Sequence, residues 1–314
     1  MFRGRSDGTF HPAPFLGAGS AGAISVICED LNGDGKPDLV YLNKPFPDPP
    51  GSTHSLAILL NNSPNRLPNN VLGYSAATGG SLLAPSSIGS IYGKNLAKVT
   101  VLASGATLPT QLGGINMRVR DVKDTVRLAP LILVSPAQIN FVAPSETSIG
   151  PASITIDDGS TPLIEGANAT IVNNLAPGFF TVNQNGQGVP AAAAVQILAD
   201  GTQNPVPVFT CASAGLCNAA PIDLASGVQA YLSLFGTGFG QAVSKDPAHS
   251  DKKCQVGGKD ATVQFAGPQS IYPGLDQVNL LIPQSLPSGL TSVQCRFYVN
   301  QQGSQSNVVQ IAIK

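Results

Sequence analysis

Ile91-Tyr92-Gly93-Lys94-Asn95-Leu96-Ala97 has a counterpart later in the chain, Leu234-Phe235-Gly236-Thr237-Gly238-Phe239-Gly240. Further on, Gln138-Ile139-Asn140-Phe141-Val142-Ala143-Pro144 matches Gln277-Val278-Asn279-Leu280-Leu281-Ile282-Pro283. Between these elements Leu112-Gly113-Gly114 matches Val256-Gly257-Gly258. After each proline a Gly-x-x-Ser phrase, Gly150 to Ser153 and Gly289 to Ser292, leads into a strand-like run. The order is the same in both sets, and the period, near 140 residues, is too long for a solenoid repeat. The chain therefore carries two copies of one domain.

Each element has a physical reading. The aromatic-Gly-x-x-Leu/Phe element is a strand ending in a turn where glycine permits positive φ. The Gly-Gly pair is a hairpin turn. In Gln-x-Asn-x-x-x-Pro the two amides share one strand face and the apolar residues the other, and the proline stops the strand. Alternating runs such as Ser90–Tyr92, Ile115–Arg120, Ser153–Ile156 and Val308–Ile313 mark half-buried strands. Ala191–Leu198 suits either a helix, through its alanines, or a strand ending at the Asp200-Gly201 turn. Many short strands between turn signals make an all-β fold of two tandem β-sandwiches, at 81–175 and 176–314. Residues 64–80, entered through the Pro/Asn-rich stretch Asn61–Asn70, read as a linker, and residues 1–63 as a separate N-terminal repeat.

Composition agrees. Of 314 residues 42% are hydrophobic but only 11% charged, with 34 glycines and 26 prolines. That is a turn-rich β profile, since disorder needs few apolar residues and high net charge. The net charge of −1, with no dense Lys/Arg cluster, argues against nucleic acid as a partner. No apolar run reaches the ~18 residues of a spanning helix, so no membrane-spanning segment is expected. Met1–Gly8 lacks the apolar core of a signal peptide, so an export signal is expected upstream of this chain.

The strongest candidate site is Asp30-x-Asn32-x-Asp34-Gly35-x-x-Asp38. Calcium takes six to eight hard oxygens, and alternate residues of a tight loop can all point inward. Asp30, Asn32, Asp34 and Asp38 would supply side-chain oxygens and Lys36 its carbonyl, with Gly35 at the bend. Tyr41 stands where an EF-hand needs glutamate, so a β-hairpin loop with a structural calcium ion is expected. The alternative is a solvated Asp/Asn/Gly turn without metal.

The five cysteines form no CxxC pair. Cys254 and Cys295 flank alternating runs and suit a bridge between strands of one sandwich, and Cys211 and Cys217 a short surface loop. The alternative is free buried thiols. Cys28 is expected to be a buried thiol.

Catalytic patterns are missing. There is no Gly-x-Ser-x-Gly elbow and no P-loop. His11, His54 and His249 lie in Pro-, Gly- or Ser-rich loops. Asp157 and Asp158 are adjacent, so on a strand they point to opposite faces, and Asp158-Gly159 reads as a turn. Aromatics make up 6% with no tryptophan, which leaves few platforms for sugar stacking. Tyr92, Phe141, Phe235 and Phe297 read as core; Tyr74 and Tyr272, near turns, are the candidates for exposure.

The phrases Ile91–Ala97, Leu112–Gly114, Ser135–Pro144 and Ala176–Thr181 resemble the Solibacter-type family of uncharacterised C-terminal domains of secreted acidobacterial proteins. The resemblance covers residues 71–314. It implies tandem immunoglobulin-like domains of the IPT/TIG kind and no known activity. The stretch from Gln241 to Lys253 departs from it and reads as a variable loop. Asp7–Phe10 with Glu29–Val40 resembles one FG-GAP/VCBS calcium-binding repeat, about one propeller blade. Together these imply a non-catalytic, secreted or cell-surface module for adhesion, spacing or docking, with an extracellular protein or glycan as partner. The rivals are an accessory, carbohydrate-binding region of a larger secreted enzyme, and a hydrolase.

Overall fold

Alternating apolar residues between glycine and proline turns leave the backbone little choice but extended pairing. The computed structural model describes residues 22–29, 31, 38–44, 55–60, 73–105, 107–159, 162–165, 170–225, 228–245 and 250–314. Among the described residues it is all-β, with about 55% in strands and 2% in helix. Residues 1–67 and 68–314 form two compact units.

The N-terminal unit holds an antiparallel three-stranded sheet of β1 (Gly22–Glu29), β2 (Asp38–Lys44) and β3 (Ser55–Leu59), in that order. Apolar residues point to both of its faces, and Val26, Ile27, Leu56 and Ile58 are exposed. Cys28, expected to be buried, is an exposed free thiol on this sheet.

The second unit begins with β4 (Gly73–Ser75), which pairs with β6 although it lies in the stretch expected to be linker. Then follow β5 (Leu82–Leu83), β6 (Ile88–Tyr92), β7 (Val101–Leu102), β8 (Gln111–Leu112), β9 (Ile115–Arg120), β10 (Val126–Leu128), β11 (Leu131–Val134), β12 (Gln138–Val142), β13 (Gly150–Asp157), β14 (Pro162–Glu165) and β15 (Thr170–Val172). One sheet runs β4-β6-β12-β11-β7; the other runs β10-β9-β13-β15-β5, with β8 on β9 and β14 on β13. Ile91 and Phe141 from the first sheet and Met117 and Ile154 from the second share one core, each 0–1% exposed. This is a sandwich-like body.

The chain continues through β16 (Gly178–Phe179), β17 (Ala192–Ile197), β18 (Gln203–Val206), β19 (Phe209–Ser213), β20 (Leu216–Ala219), β21 (Pro221–Ile222), β22 (Gln229–Thr237), helix α1 (Gly240–Lys245), β23 (Ser250–Val256), β24 (Lys259–Pro268), β25 (Asp276–Leu281), β26 (Gly289–Val299), β27 (Gln302–Gln305) and β28 (Val309–Ile313). The order is β18-β17-β22-β25-β24-β23-β26-β28-β21, with β16 on β22, β27 on β26 and β19-β20 as a separate hairpin. A second core is built on Phe179, Phe239 and Phe297, with Phe239 stacked on Phe297 at 4.3 Å. The alanine run is a strand, β17, ended by Gly201 at φ +83°. Gln241–Lys253 is a helical turn and part of β23, apart from 246–249, which lie outside the described residues.

The two bodies repeat one strand order. β17-β22-β25 with the end of β24 matches β4-β6-β12-β11, and the start of β24 with β23-β26-β28-β21 matches β10-β9-β13-β15-β5. The register agrees in detail: Leu131 faces Phe141 as Val263 faces Leu280, and the next residue of each strand bulges. In the first copy β10 and β11 are separate strands because Ala129-Pro130 stands between them and proline has no N–H to donate. In the second copy β24 runs through and crosses from one sheet to the other. The last pair in each copy is parallel, β15 with β5 and β28 with β21.

Two details of the repeat differ from the sequence reading. Gly113-Gly114 and Gly257-Gly258 are both two-residue turns with positive φ, but β9, after the first, pairs with β13, whereas β23, before the second, pairs with β26. The turns are alike locally and stand at different places in the sheet. Gly93 and Gly236 do not have positive φ; the left-handed residues are Asn95 (φ 56°) and Gly238 (φ 86°), two positions later.

Candidate functional site

The expected calcium residues Asp30, Asn32, Asp34 and Lys36 lie outside the described residues. Asp38 is described. It opens β2, is 0% exposed, and its Oδ2 accepts the Leu31 N–H at 3.0 Å. Residues 31 and 38 are thus tied directly, and a carboxylate is the donor type a hard cation uses. Among the described residues no cluster of three or more His, Cys, Asp or Glu is placed to hold a metal.

The disulfides join directly opposed residues. Cys254 and Cys295 are register partners on β23 and β26, each 1% exposed, with Cα atoms 4.1 Å apart. The bridge therefore staples two neighbours in one sheet and does not span the core. Cys211 and Cys217 are partners across the β19-β20 hairpin.

The buried carboxylates serve the fold. Asp157 accepts from Arg118 Nε at 2.6 Å, Asn116 Nδ2 and the Gly159 N–H. Burial works to raise its pKa, but these donors outweigh that and hold it below the usual carboxylate value. Asp121 is pushed upward by burial and brought down to about 2 by the Ser148 and Thr125 N–H groups and Arg127. Asp276 goes the other way. Burial raises it to about 6, although the Phe239 and Gly240 N–H groups donate to it at 2.9 and 2.8 Å. It closes the start of α1, which accounts for the helical turn in the expected variable loop. His11, His54 and His249 lie outside the described residues.

The polar face of the Gln-x-Asn element carries its own side-chain hydrogen-bond network. Ile139 and Phe141 point into the core, 0% exposed, so Gln138 and Asn140 lie on the outer face of the sheet. Asn140 Oδ1 accepts from Ser90 Oγ at 2.9 Å and from Gln138 Nε2 at 2.8 Å. Tyr92 is the register partner of Gln138, and Tyr74 that of Ser90. Their rings lie 6.4 Å apart, tilted by 41°. Tyr92 was expected in the core and is 55% exposed, because Ile91 is the residue that points inward. Phe141 and Phe297 are core, as expected; Phe235 is half-buried; Tyr272 is exposed. The signal for Tyr92 was in the alternation itself: its parity is that of Gln138 and Asn140 across the ladder.

The second copy repeats the ladder, with Gln277 Nε2 donating to Asn279 Oδ1 at 2.7 Å. There Phe235 stands in the place of Tyr92 and Ala193 in that of Tyr74.

Among the described residues no helix is long and apolar enough to cross a membrane. No protein-family model matches the chain, and no curated protein does.

Proposed function

We propose that the chain is a non-catalytic extracellular or cell-surface module that spaces, adheres or docks, with two tandem immunoglobulin-like sandwiches of the IPT/TIG kind and a structural calcium ion in the Asp30–Asp38 loop. The observation that carries this reading is the pair of disulfides in a charge-poor, all-β unit, since disulfides persist in oxidising compartments. The repeated strand order supports the immunoglobulin-like reading; the Cys254–Cys295 bridge, within one sheet, differs from the inter-sheet bridge of antibody domains. The buried Asp38 carboxylate supports calcium. The partner is an extracellular protein or a glycan. A second reading, an accessory carbohydrate-binding region of a larger secreted enzyme, is favoured by the tyrosine and amide face around Asn140.

The test is a thermal melt of the whole chain in millimolar calcium and in EDTA, with Asp34→Ala as control. A bound ion at a hundredfold excess over its dissociation constant stabilises by about 2.7 kcal/mol. A calcium-dependent rise that the variant abolishes is the expected result. Identical melts would remove calcium from the proposal. Turnover of generic glycoside or ester substrates would overturn the non-catalytic reading in favour of a hydrolase.

A further inference from the structure

We infer that the outer face of the sheet around Asn140 binds a neutral glycan, with a sugar ring laid on Tyr92 and its hydroxyls paired to the Gln138–Asn140 amides. This rests on the extracellular reading above and supplies it with a ligand class and a site.

The argument starts from unused hydrogen-bonding capacity. Asn140 spends its Oδ1 on Ser90 and Gln138, and Gln138 spends its Nε2 on Asn140. Asn140 Nδ2 and Gln138 Oε1 have no protein partner among the described residues, and nor do the hydroxyls of Tyr74 and Tyr92. The two internal bonds hold the amides in one orientation, so a donor and an acceptor stand fixed beside the two tyrosine rings. Orienting groups that are already locked lowers the cost of binding. Gln138, Asn140, Ser90, Tyr74 and Tyr92 are all uncharged, so the row has no cation of its own to pair with a phosphate or a carboxylate. A sugar ring combines an apolar C–H face with neutral hydroxyls that both donate and accept, which is the complement of this row.

The boundary of the face is set by the second body. A Cβ on Gly274 would meet Ile88 at 2.8 Å and Val142 at 3.0 Å, so that backbone closes the Ile88–Val142 end. Tyr272, two residues earlier in the same loop, is 62% exposed. The second copy keeps the ladder but has Ala193 in place of the second ring, so one site per chain is expected.

The experiment is calorimetric titration of the whole chain with neutral hexasaccharides of β-1,4-glucose, β-1,4-xylose, β-1,4-N-acetylglucosamine and α-1,4-glucose, and with a proline-rich peptide. Tyrosine emission gives a second readout, since the chain has no tryptophan. The expected result is saturable binding of at least one hexasaccharide at one per chain. Tyr92→Ala should weaken it about tenfold or more with an unchanged melt; Asn140→Ala should weaken it as much and also lower the melt, since the buried Ser90 hydroxyl loses its acceptor, and Tyr92→Phe should retain most of it. Glycan binding indifferent to Tyr92→Ala and Asn140→Ala would overturn the site, and binding of the peptide alone would overturn the ligand class. Absence of all binding would overturn the inference while the calcium melt still decides the module reading separately.

Discussion

The Thr237 hydroxyl accepts the Ile88 N–H at 2.8 Å and so ties the first strand-rich body to the second, while donating to the Gly274 carbonyl at 2.7 Å. Thr237 is 0% exposed. Around it, Cβ atoms on Gly178 and Gly274 would meet Thr78 and Ile88 at 2.6 and 2.8 Å, so backbone packs directly on side chains at the joint. This buried, hydrogen-bonded joint lies inside the single compact unit of residues 68–314.

Thr237→Val keeps the shape and removes both bonds. It leaves the Ile88 N–H and the Gly274 carbonyl without that partner, so a loss of about 1–3 kcal/mol is expected. Thr237→Ser should retain most of the stability. Calorimetry of the parent should show one unfolding transition for the 68–314 unit, and the Val variant should broaden or split it, with faster proteolysis between the two bodies. A variant that melts like the parent would mean that apolar contacts alone hold the joint.

The disulfides should separate by accessibility. Cys254–Cys295 closes a 41-residue separation in the second core, worth about 4 kcal/mol on the chain-entropy estimate. Cys211–Cys217 closes only six, worth about 2 kcal/mol, on a hairpin where Cys211 is exposed and Cys217 buried. Under graded dithiothreitol, thiol labelling read by mass spectrometry should find Cys211 and Cys217 first, with a smaller fall in the melt than loss of Cys254–Cys295 gives. Cys254 and Cys295 should label only as the second body unfolds. Cys28, free and exposed, should label without reductant.

Two carboxylates set opposite pH trends. Asp276, raised by burial to about 6, holds its proton more tightly in the folded chain, so its contribution is full below about 3.8 and is lost as pH rises through about 6. Asp121, held at about 2, contributes fully above about 3.8 and is lost as pH falls toward 2. Urea melts across pH 3 to 7 should therefore show stability declining between pH 4 and 6, and Asp276→Asn should flatten that decline. Asp121→Asn should lose stability at pH 7 and little at pH 2.

What was legible in the sequence is local and periodic. The parity of Ile139 and Phe141 against Gln138 and Asn140 follows from the two-residue repeat of a strand, and the Gly-Gly turns follow from their composition. Pairing is not local. Nothing in Val256-Gly257-Gly258 says that β23 rather than β24 lies beside β26, so the two Gly-Gly turns looked equivalent and are not. That Cys254 and Cys295 are lateral neighbours, and that Thr237 meets Ile88 149 positions away, are likewise properties of the assembled sheets. Tyr92 looked like core because a strand aromatic usually is; its parity pointed outward. For the calcium loop, sequence reading extends beyond the described residues, and Asp38 is where the two meet.

The shared Gly-x-x motif gives the sharpest comparison between the copies. Glycine at 93 and 236 is there for space, not for φ. A Cβ on Gly93 would meet the Leu96 side chain at 2.8 Å, whereas one on Gly236 would meet the Gly178 carbonyl oxygen at 2.4 Å. Leu96 is fully buried and must repack in the first core, but a paired strand backbone cannot give way at all, because β16 is bonded to β22 at that residue. Gly93→Ala should therefore cost about 1–3 kcal/mol, and Gly236→Ala more, up to failure to fold. The left-handed positions follow the same division. Asn95→Gly should be close to neutral, since asparagine already tolerates φ of 56°. Gly238→Asn combines a tolerable φ with a Cβ 2.1 Å from the Ala176 carbonyl oxygen, so it should be severe. Chemical denaturation of the four variants, scored by midpoint, gives the order; equal costs at 93 and 236 would mean that the β16 contact yields and that the motif has one role in both copies.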